Sequence, residues 1–576
     1  MTYYTSFYRK VSLCCRRARP VWTESNLFCL QMLVTMNDVT NGATHGGPSS
    51  PSGSSSPPSP FIPPVTDGWL ELFLTPSQKH SFSQWDENVS NRSVLHRFVL
   101  ERVWDKISLW VPENVAPNVI TLMGLAFLLN GWYVTNLYGQ DYPTGCTWFA
   151  VLNILLFFNT SSLDCKHADR IRQRTSLGEL WKYSCDCCST VFLALLTTYS
   201  LGGVKVSTQW YAVQAAQLVL FTKHLSAFHR NEGMRLGPLT GPGEVMTAIL
   251  VILTTRAFFG LEWLISVYGE TLHKLVAVLE ARDVDVSIPP AAEDAKFMGA
   301  ELVRTSYIIT YVLAVTKCLL LHKPHGWSKF GILLGLLMRS GPAVLIHFGL
   351  ATDFSVLDVI CDGLFMAVLT SDVALAKMAG REIHPWVVLM STATLFSHGV
   401  ILSLCLVYYI AVFGDLCNYQ NMPLLTVCRN VYCDGVYDLC HIGHKNAFRE
   451  ALRFGNRLYV GVVGDEDASH YKRPPIMTAK ERCDEVEACK SVTKVIPNSP
   501  CFGLTQEFLD QHQIHVVAFG EEYEERFPDP DDDPYYRLPR KMGIARTLPR
   551  TQTLSTSDLI RRIQAARPAS QKKSPT

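Results

Sequence analysis

The sequence predicts a polytopic α-helical membrane domain followed by an α/β domain around a parallel sheet. Three observations carry this. Only 18% of the 576 residues are charged, and they thin out through the middle and gather in the last quarter, as if the chain met two solvents. Between Ala116 and Phe413 several apolar runs reach the roughly 20 residues that cross a bilayer as a helix, and some shorter ones are open to a reading as buried core helices. From about Leu424, strand-like and helix-like runs alternate, which is the pattern of a parallel sheet with helical crossovers. The net charge of +1 gives no broad basic surface, so nucleic acid is not an expected partner.

Residues 1–92 read as a disordered, low-complexity lead. The stretch "GGPSSPSGSSSPPSPFIPP" (46–64) is too rich in Pro, Ser and Gly to form a core. Ahead of it, "RKVSLCCRRARPVW" and the apolar "NLFCLQMLV" lack a convincing cleavage site. They read as a targeting segment or as sequence wrongly joined upstream of Met36. Residues 93–415 form the membrane domain. It opens on "SVLHRFVLERVWDKISLWVP" (93–112), an amphipathic helix for the bilayer surface or a cap on the bundle. Nine or ten spans follow, from "APNVITLMGLAFLLNGWYVTNL" (116–137) to the long run at 386–414. The eighteen cysteines are irregularly spaced, and nothing completes a zinc site around Cys185 and Cys188, so reduced thiols are expected.

Residues 424–566 form the second domain, and 567–576 a disordered tail. "LLTVCRNVYC" reads as the first strand, and "HKNAFREALRFG" (444–455) puts Ala447, Phe448, Ala451 and Leu452 on one helical face. Further strands are expected at 457–463, 492–496 and 514–520, and helices at 479–490 and 505–513. Ser555, with Asp558 three residues on, caps a last helix over 555–566. Ligands of such sheets bind beyond the carboxyl ends of the strands. "VYCDGVYDLCHIGH" (431–444) falls there. Two histidines at a helix start can be mere caps, but this pair has company in order: "YKRPPIM" (471–477), "KER" (480–482) and "RTQTLSTSD" (550–558).

This ordered set resembles the cytidylyltransferases that activate phosphocholine and phosphoethanolamine with CTP, over roughly residues 427–565. The resemblance implies a Rossmann-like nucleotidyltransferase fold of the HxGH type. It also implies attack of a phosphomonoester on the α-phosphorus of CTP with loss of pyrophosphate. Catalysis would then be positioning and charge stabilisation. It assigns His441, His444 and Lys472 as catalytic, and Asp434, Gly435, Gly443, Arg482, Arg550, Thr551, Ser555 and Thr556 to nucleotide and phosphates. Asp434, Tyr437, Phe502 and Tyr523 are candidates for the phosphoamine pocket. Mg²⁺ is implied with CTP, its ligands unreadable, and a homodimer is allowed. Gln552 and Thr553 depart from the family's Glu-Gly in the last motif. The "AFGEEY" stretch (518–523) sits nearer the ethanolamine enzymes, with Phe519 in place of their His; phosphocholine stays the alternative substrate.

The membrane half has a resemblance of its own. "VPENVAPNVITLMG" (111–124) and the spacing of "SSLDCKHADRIRQRTSLGELWKYSCD" (161–186) resemble the choline/ethanolamine phosphotransferases, a group of the CDP-alcohol phosphatidyltransferases. The corresponding site would comprise Asn118, Ser161, Asp164, Gly178, Lys182 and Asp186. Its residues have degenerated: Ser161 and Lys182 stand at carboxylate positions, Cys165 at the glycine and Asp169 at the arginine. Two readings follow, an inherited scaffold that anchors the tail or a bifunctional enzyme that also makes phospholipid. Either one is an integral membrane protein, with the endoplasmic reticulum as its expected home and the C-terminal domain in the cytosol.

Overall fold

The computed structural model of the chain describes residues 72–85, 101–230, 241–267, 292–322, 326–349, 355–385, 398–471, 474–549 and 555–566, with isolated positions 270, 387 and 390. The Pro/Ser-rich stretch, residues 93–100, Lys472, Arg550 and Thr551 lie outside them. The chain divides into two compact units. The first takes residues 1–102, 121–160 and 179–418; the second takes 103–120, 161–178 and 419–576. These units do not follow the boundary read from the sequence, because two short pieces of the helical half cluster with the tail.

In the first unit, nine long helices run from Pro117 to Tyr419 among the described residues: α1 Pro117–Tyr138, α2 Pro143–Arg170, α3 Ser176–Ser200, α4 Val206–Arg230, α5 Pro242–Phe259, α6 Ala292–Leu320, α7 Gly326–His347, α8 Val356–Ala379 and α9 His398–Tyr419. Some of their end turns belong to the second unit. Seven are long and apolar enough to cross a membrane by length and composition. Helices α3 and α4 fall short of that measure, α3 carrying Glu179, Lys182 and Asp186 among its apolar residues. Helix α8 is buried along 94% of its apolar window yet contains Asp358, Asp362 and Asp372. Each of these carboxylates is partnered. Arg339 and the Trp210 indole N–H (2.8 Å) meet Asp362. Arg381 (2.6 Å) and the Tyr408 hydroxyl (3.0 Å) meet Asp372, and His398 meets Asp358. A buried charge left alone costs several kcal/mol, so such residues persist only in pairs.

Part of the N-terminal lead is folded, contrary to the sequence reading. Pro76–Ser83 is a short helix with a capping box at Thr75. Phe73, Leu74 and Phe82 are buried. Lys79 forms a 2.7 Å buried ion pair with Asp415, and Phe73 packs edge-on against Tyr408 with ring centroids 5.1 Å apart. A hydrophobic triplet in a polar context is too short to announce a helix by periodicity. The amphipathic segment is helical over Glu101–Ser108; Trp104 is buried, and Leu109 and Trp110 just beyond are exposed.

The second unit is built on five parallel strands: β1 Asn430–Gly435, β2 Arg457–Val463, β3 Lys494–Ser499, β4 Val516–Gly520 and β5 Ala545–Leu548, in the order β3-β2-β1-β4-β5. Alternation along β1 sends Val431 and Cys433 to one face and Tyr432 to the other. The first face packs on Phe448 and Val486, the second on Leu509 and Ile514. The chain reverses its direction of winding between β3 and β4, so β1 and β4 flank the switch point where open α/β sheets bind ligands. Residues 103–120 and 161–178 attach near the amino ends of these strands. The Asn118 amide donates to the Leu424 carbonyl (2.8 Å), and Gln513 donates to the Arg174 carbonyl (2.6 Å). His515 accepts the Asn430 N–H (3.1 Å) at Nδ1 and donates from Nε2 to the Ile171 carbonyl (2.8 Å).

Helices at Asp465–Tyr471, Glu521–Arg526 and Arg537–Lys541, and strand β5, were not expected from the sequence. They are too short for periodicity to register. Gly461 is required where it stands: a Cβ would meet the Tyr432 hydroxyl at 2.3 Å and Ser499 Oγ at 2.7 Å. Gly461→Ala should therefore destabilise the sheet by about 1–3 kcal/mol, the usual cost of overpacking. Thermal melting of the purified full chain should show it as a lowered transition.

Candidate active site

A cleft of about 480 Å³ opens at the carboxyl ends of β1 and β4. The turn from β1 into the helix Ile442–Ala451 forms much of it. Tyr437 and Leu439 in this turn have φ of 52° and 53°, left-handed values that a residue with a side chain adopts at a cost of order 1–3 kcal/mol. The surroundings hold them there. The Tyr437 ring packs edge-on against His444 (5.3 Å) and Phe448 (5.1 Å), and its hydroxyl donates to Cys433 Sγ (3.6 Å). Asp438, buried, accepts the backbone N–H groups of Ile476 and Met477 at 3.1 Å.

His441 is both helix cap and donor. Its Nδ1 accepts the Gly443 N–H (3.1 Å), so the neutral ring carries its proton on Nε2. That proton points to Thr556 Oγ1 at 3.2 Å, whose hydroxyl donates in turn to the Asp438 carbonyl at 3.4 Å. Burial lowers the His441 pKa from its ordinary value, with Asp558 opposing, which favours this neutral donor at pH 7. The His444 ring stacks on His441 with centroids 4.0 Å apart and planes 21° from parallel. Two imidazoles thus face one cleft at the N-terminus of a helix, where the positive end of the helix dipole favours anions.

Asp434 ends β1 on the cleft wall. The Tyr536 hydroxyl donates to its Oδ1 at 2.7 Å. Burial nevertheless pushes the Asp434 carboxyl up to about 6, against the pull of that hydroxyl, and the same burial drives Tyr536 well above its ordinary range. The rings nearby form a continuous wall. Phe519 stacks on Tyr536 (4.7 Å), Tyr523 meets Tyr536 (5.2 Å) and Tyr535 (5.3 Å) edge-on, and Phe502 stacks on Tyr535 (5.5 Å). Glu522 also lines the cleft.

Of the residues singled out in the sequence, Asp434, Gly435, Tyr437, His441, Gly443, His444, Tyr523, Ser555 and Thr556 line this one cleft. Phe502 is exposed and reaches it only through Tyr535. Ser555 Oγ is occupied in capping, accepting from the Asp558 N–H and donating to the Asp558 carboxylate at 2.6 Å. Arg482 lies off the cleft wall and fully buried. Its guanidinium donates to the carbonyls of Met477 (3.2 Å) and Val436 (2.6 Å) and to Asp465 (2.7 Å). In this arrangement it braces both sides of the turn. Asn118, Ser161, Asp164 and Gly178 belong to the second unit, Lys182 and Asp186 to the first. No cluster of three or more His, Cys, Asp or Glu suited to a metal is present among the described residues. Sequence reasoning missed Asp438, Glu522 and Tyr536. Asp438 stood inside the quoted motif and was legible; Tyr536, in "DDDPYYRL", carries no signal.

Residues 432–562 match the family model described as Cytidylyltransferase-like. The ethanolamine-phosphate cytidylyltransferase of Mus musculus is 38% identical over 133 residues, which are 23% of this chain and 32% of that protein. Choline-phosphate cytidylyltransferase 2 of Arabidopsis thaliana is 38% identical over 139 residues, 23% of this chain and 44% of its own. The choline-phosphate cytidylyltransferase of Saccharomyces cerevisiae (strain ATCC 204508 / S288c) is 35% identical over 145 residues, 25% and 33% respectively. The chain thus spans 32% to 44% of the length of these relatives. Among solved structures, the lipopolysaccharide core biosynthesis protein from Thermoplasma volcanium GSS1 aligns over 22% of this chain and 100% of its own, with 22% identity and a TM-score of 0.19.

Arg482→Met should lower the thermal transition of the full chain, because it removes a buried guanidinium from two carbonyls and a carboxylate. A residue that only touched phosphate would leave the melting temperature unchanged and weaken nucleotide binding instead.

Proposed function

We propose that residues 424–566 are a CTP:phosphoethanolamine cytidylyltransferase, making CDP-ethanolamine and pyrophosphate, and that the preceding helices hold it at a membrane. The observation that carries the reading is the stacked His441–His444 pair at a helix N-terminus, inside a stretch that matches the cytidylyltransferase-like family. A phosphomonoester oxygen of the phosphoamine attacks the α-phosphorus, and the bond to the bridging oxygen of pyrophosphate breaks. His441 Nε2–H, released from Thr556, and His444 donate to the oxygens that gain charge, and the positive end of the Ile442–Ala451 helix dipole favours the same anion. Lys472, Arg550 and Thr551 complete the phosphate contacts in this reading. Mg²⁺ enters with the nucleotide. The described cleft offers it only scattered carboxylates, which suits an ion held chiefly by phosphates and water.

Asp434 and Glu522 supply the acceptors a primary ammonium needs. The aromatic wall of Phe519, Tyr523, Tyr535 and Tyr536 supports phosphocholine as a second reading, since quaternary ammonium prefers ring faces. Steady-state turnover by the full chain with CTP and each phosphoamine decides. We expect a higher kcat/KM for phosphoethanolamine; the reverse order would install choline.

The helical half is read as a membrane anchor. Exposed Ile308, Ile309, Val312 and Leu313 on α6, whose apolar window is only 17% buried, support lipid contact. CTP is a cytosolic substrate, so the C-terminal domain belongs on the cytosolic side, with the endoplasmic reticulum as the proposed location. Ser161 and Lys182, where the resembling phosphotransferases carry carboxylates, support a scaffold without phospholipid synthesis over a bifunctional enzyme. Purified protein given CDP-ethanolamine or CDP-choline, diacylglycerol and Mg²⁺ or Mn²⁺ should form no lipid. Metal-dependent phospholipid that disappears when Asp164 and Asp186 are removed would establish the second activity.

His441→Ala or His444→Ala should cut pyrophosphate release roughly 10²-fold or more, the scale of one lost transition-state donor. CTP affinity should change far less. Asp434 adds a pH dependence. Its carboxyl is charged above about 6 and neutral below, so kcat/KM for the phosphoamine should fall as pH drops through 6. Tyr536→Phe removes a donor to the charged form and should move that limb to higher pH.

A further inference from the structure

We infer that Cys440 and Cys489 form a redox modification site, a dithiol that closes to a disulfide and disables the neighbouring histidine. The two sulfurs lie 4.0 Å apart, in contact and about 2 Å beyond bonding distance. Cys440 is buried in the core beneath the sheet. Cys489 is half-buried, one residue beyond Ala488, the C-cap of the helix Ala479–Glu487. Cys440 sits between Leu439, held at φ 53°, and His441, whose ring is fixed at both nitrogens. Drawing its sulfur toward Cys489 therefore pulls on the residue bonded to His441, in a turn with no slack.

The order of reaction follows from access. A low-molecular-weight disulfide, such as oxidised glutathione, meets the half-buried Cys489 first. The Cys489 thiolate attacks one of its sulfurs, forms a mixed disulfide and expels one thiolate. The Cys440 thiol then attacks Cys489 Sγ, its proton passes to the second departing thiolate, and the protein disulfide forms. Two protein thiols are oxidised and one small disulfide is reduced to two thiols, so atoms and electrons balance. Burial pushes the Cys440 thiol up to about 12, which keeps it from reacting first; in the second step its small thiolate fraction is offset by the 4.0 Å approach to Cys489 Sγ.

The test uses the purified full chain. After incubation with oxidised glutathione and alkylation of free thiols, peptide mapping should recover a 440–489 cross-link. Pyrophosphate release should fall about tenfold or more, as expected for a slightly misplaced catalytic group, and recover with dithiothreitol. Cys489→Ser should keep its basal turnover and lose this sensitivity. Should that variant fold poorly, Cys489→Ala replaces it, and the mapping of the unaltered chain decides by itself. Absence of the cross-link, a cross-link without loss of turnover, or equal inactivation of the Cys489 variant would each overturn the inference.

Discussion

The turn from Gly435 to His441 is held in a conformation that its own residues disfavour, and the site depends on how it is held. Tyr437 and Leu439 lie in the left-handed region without being glycine. That geometry survives because three anchors over-determine it. Asp438 takes two backbone N–H groups from Ile476 and Met477. Arg482 grips the carbonyls of Val436 and Met477 from below. The Tyr437 ring wedges between His444 and Phe448. Strain of this kind is stable only when the rest of the fold outweighs it. Its return is two imidazoles placed side by side at a helix N-terminus with a defined proton position.

The electrostatics of the cleft separate into two kinds. Around His441 and Thr556 the groups are imidazoles and a hydroxyl at the N-terminus of a helix, a setting that favours negative charge. Around Asp434 they are a carboxylate, a phenol bonded to it and a wall of rings. Burial raises the carboxyl of Asp434, which means an arriving cation regains part of that cost by favouring the charged form. The phosphoamine proposed as substrate, an anion at one end and a cation at the other, would have one end for each environment.

The helical unit solves a different problem by the same rule. Its most buried helix carries three carboxylates, and each is met by Arg, His, Trp or Tyr from another part of the unit. In a low-dielectric interior such pairing disfavours any arrangement that would leave one of these charges unmatched. Lys79 and Asp415 extend this to a segment whose composition suggested no structure.

Long periodic elements were legible in the sequence because their signal accumulates over many residues. The apolar runs appear as nine long helices among the described residues, and strand β2 falls at 457–463 as read. The histidine pair, Asp434 and Thr556 were legible because they stand in ordered motifs, and the cleft gathers them. Elements of four to seven residues, such as β5, leave no period to detect. Arg482 looked like a phosphate donor from its motif, yet only packing could reveal that its guanidinium is spent on the turn. Likewise, nothing local joins Tyr536 to Asp434 across 102 positions or brings residues 161–178 against the tail. Local sequence determines periodicity, caps and the chemistry a side chain can offer. Which group meets which partner, and so which charge is shifted, is decided by long-range packing, because desolvation and hydrogen bonding act through space rather than along the chain.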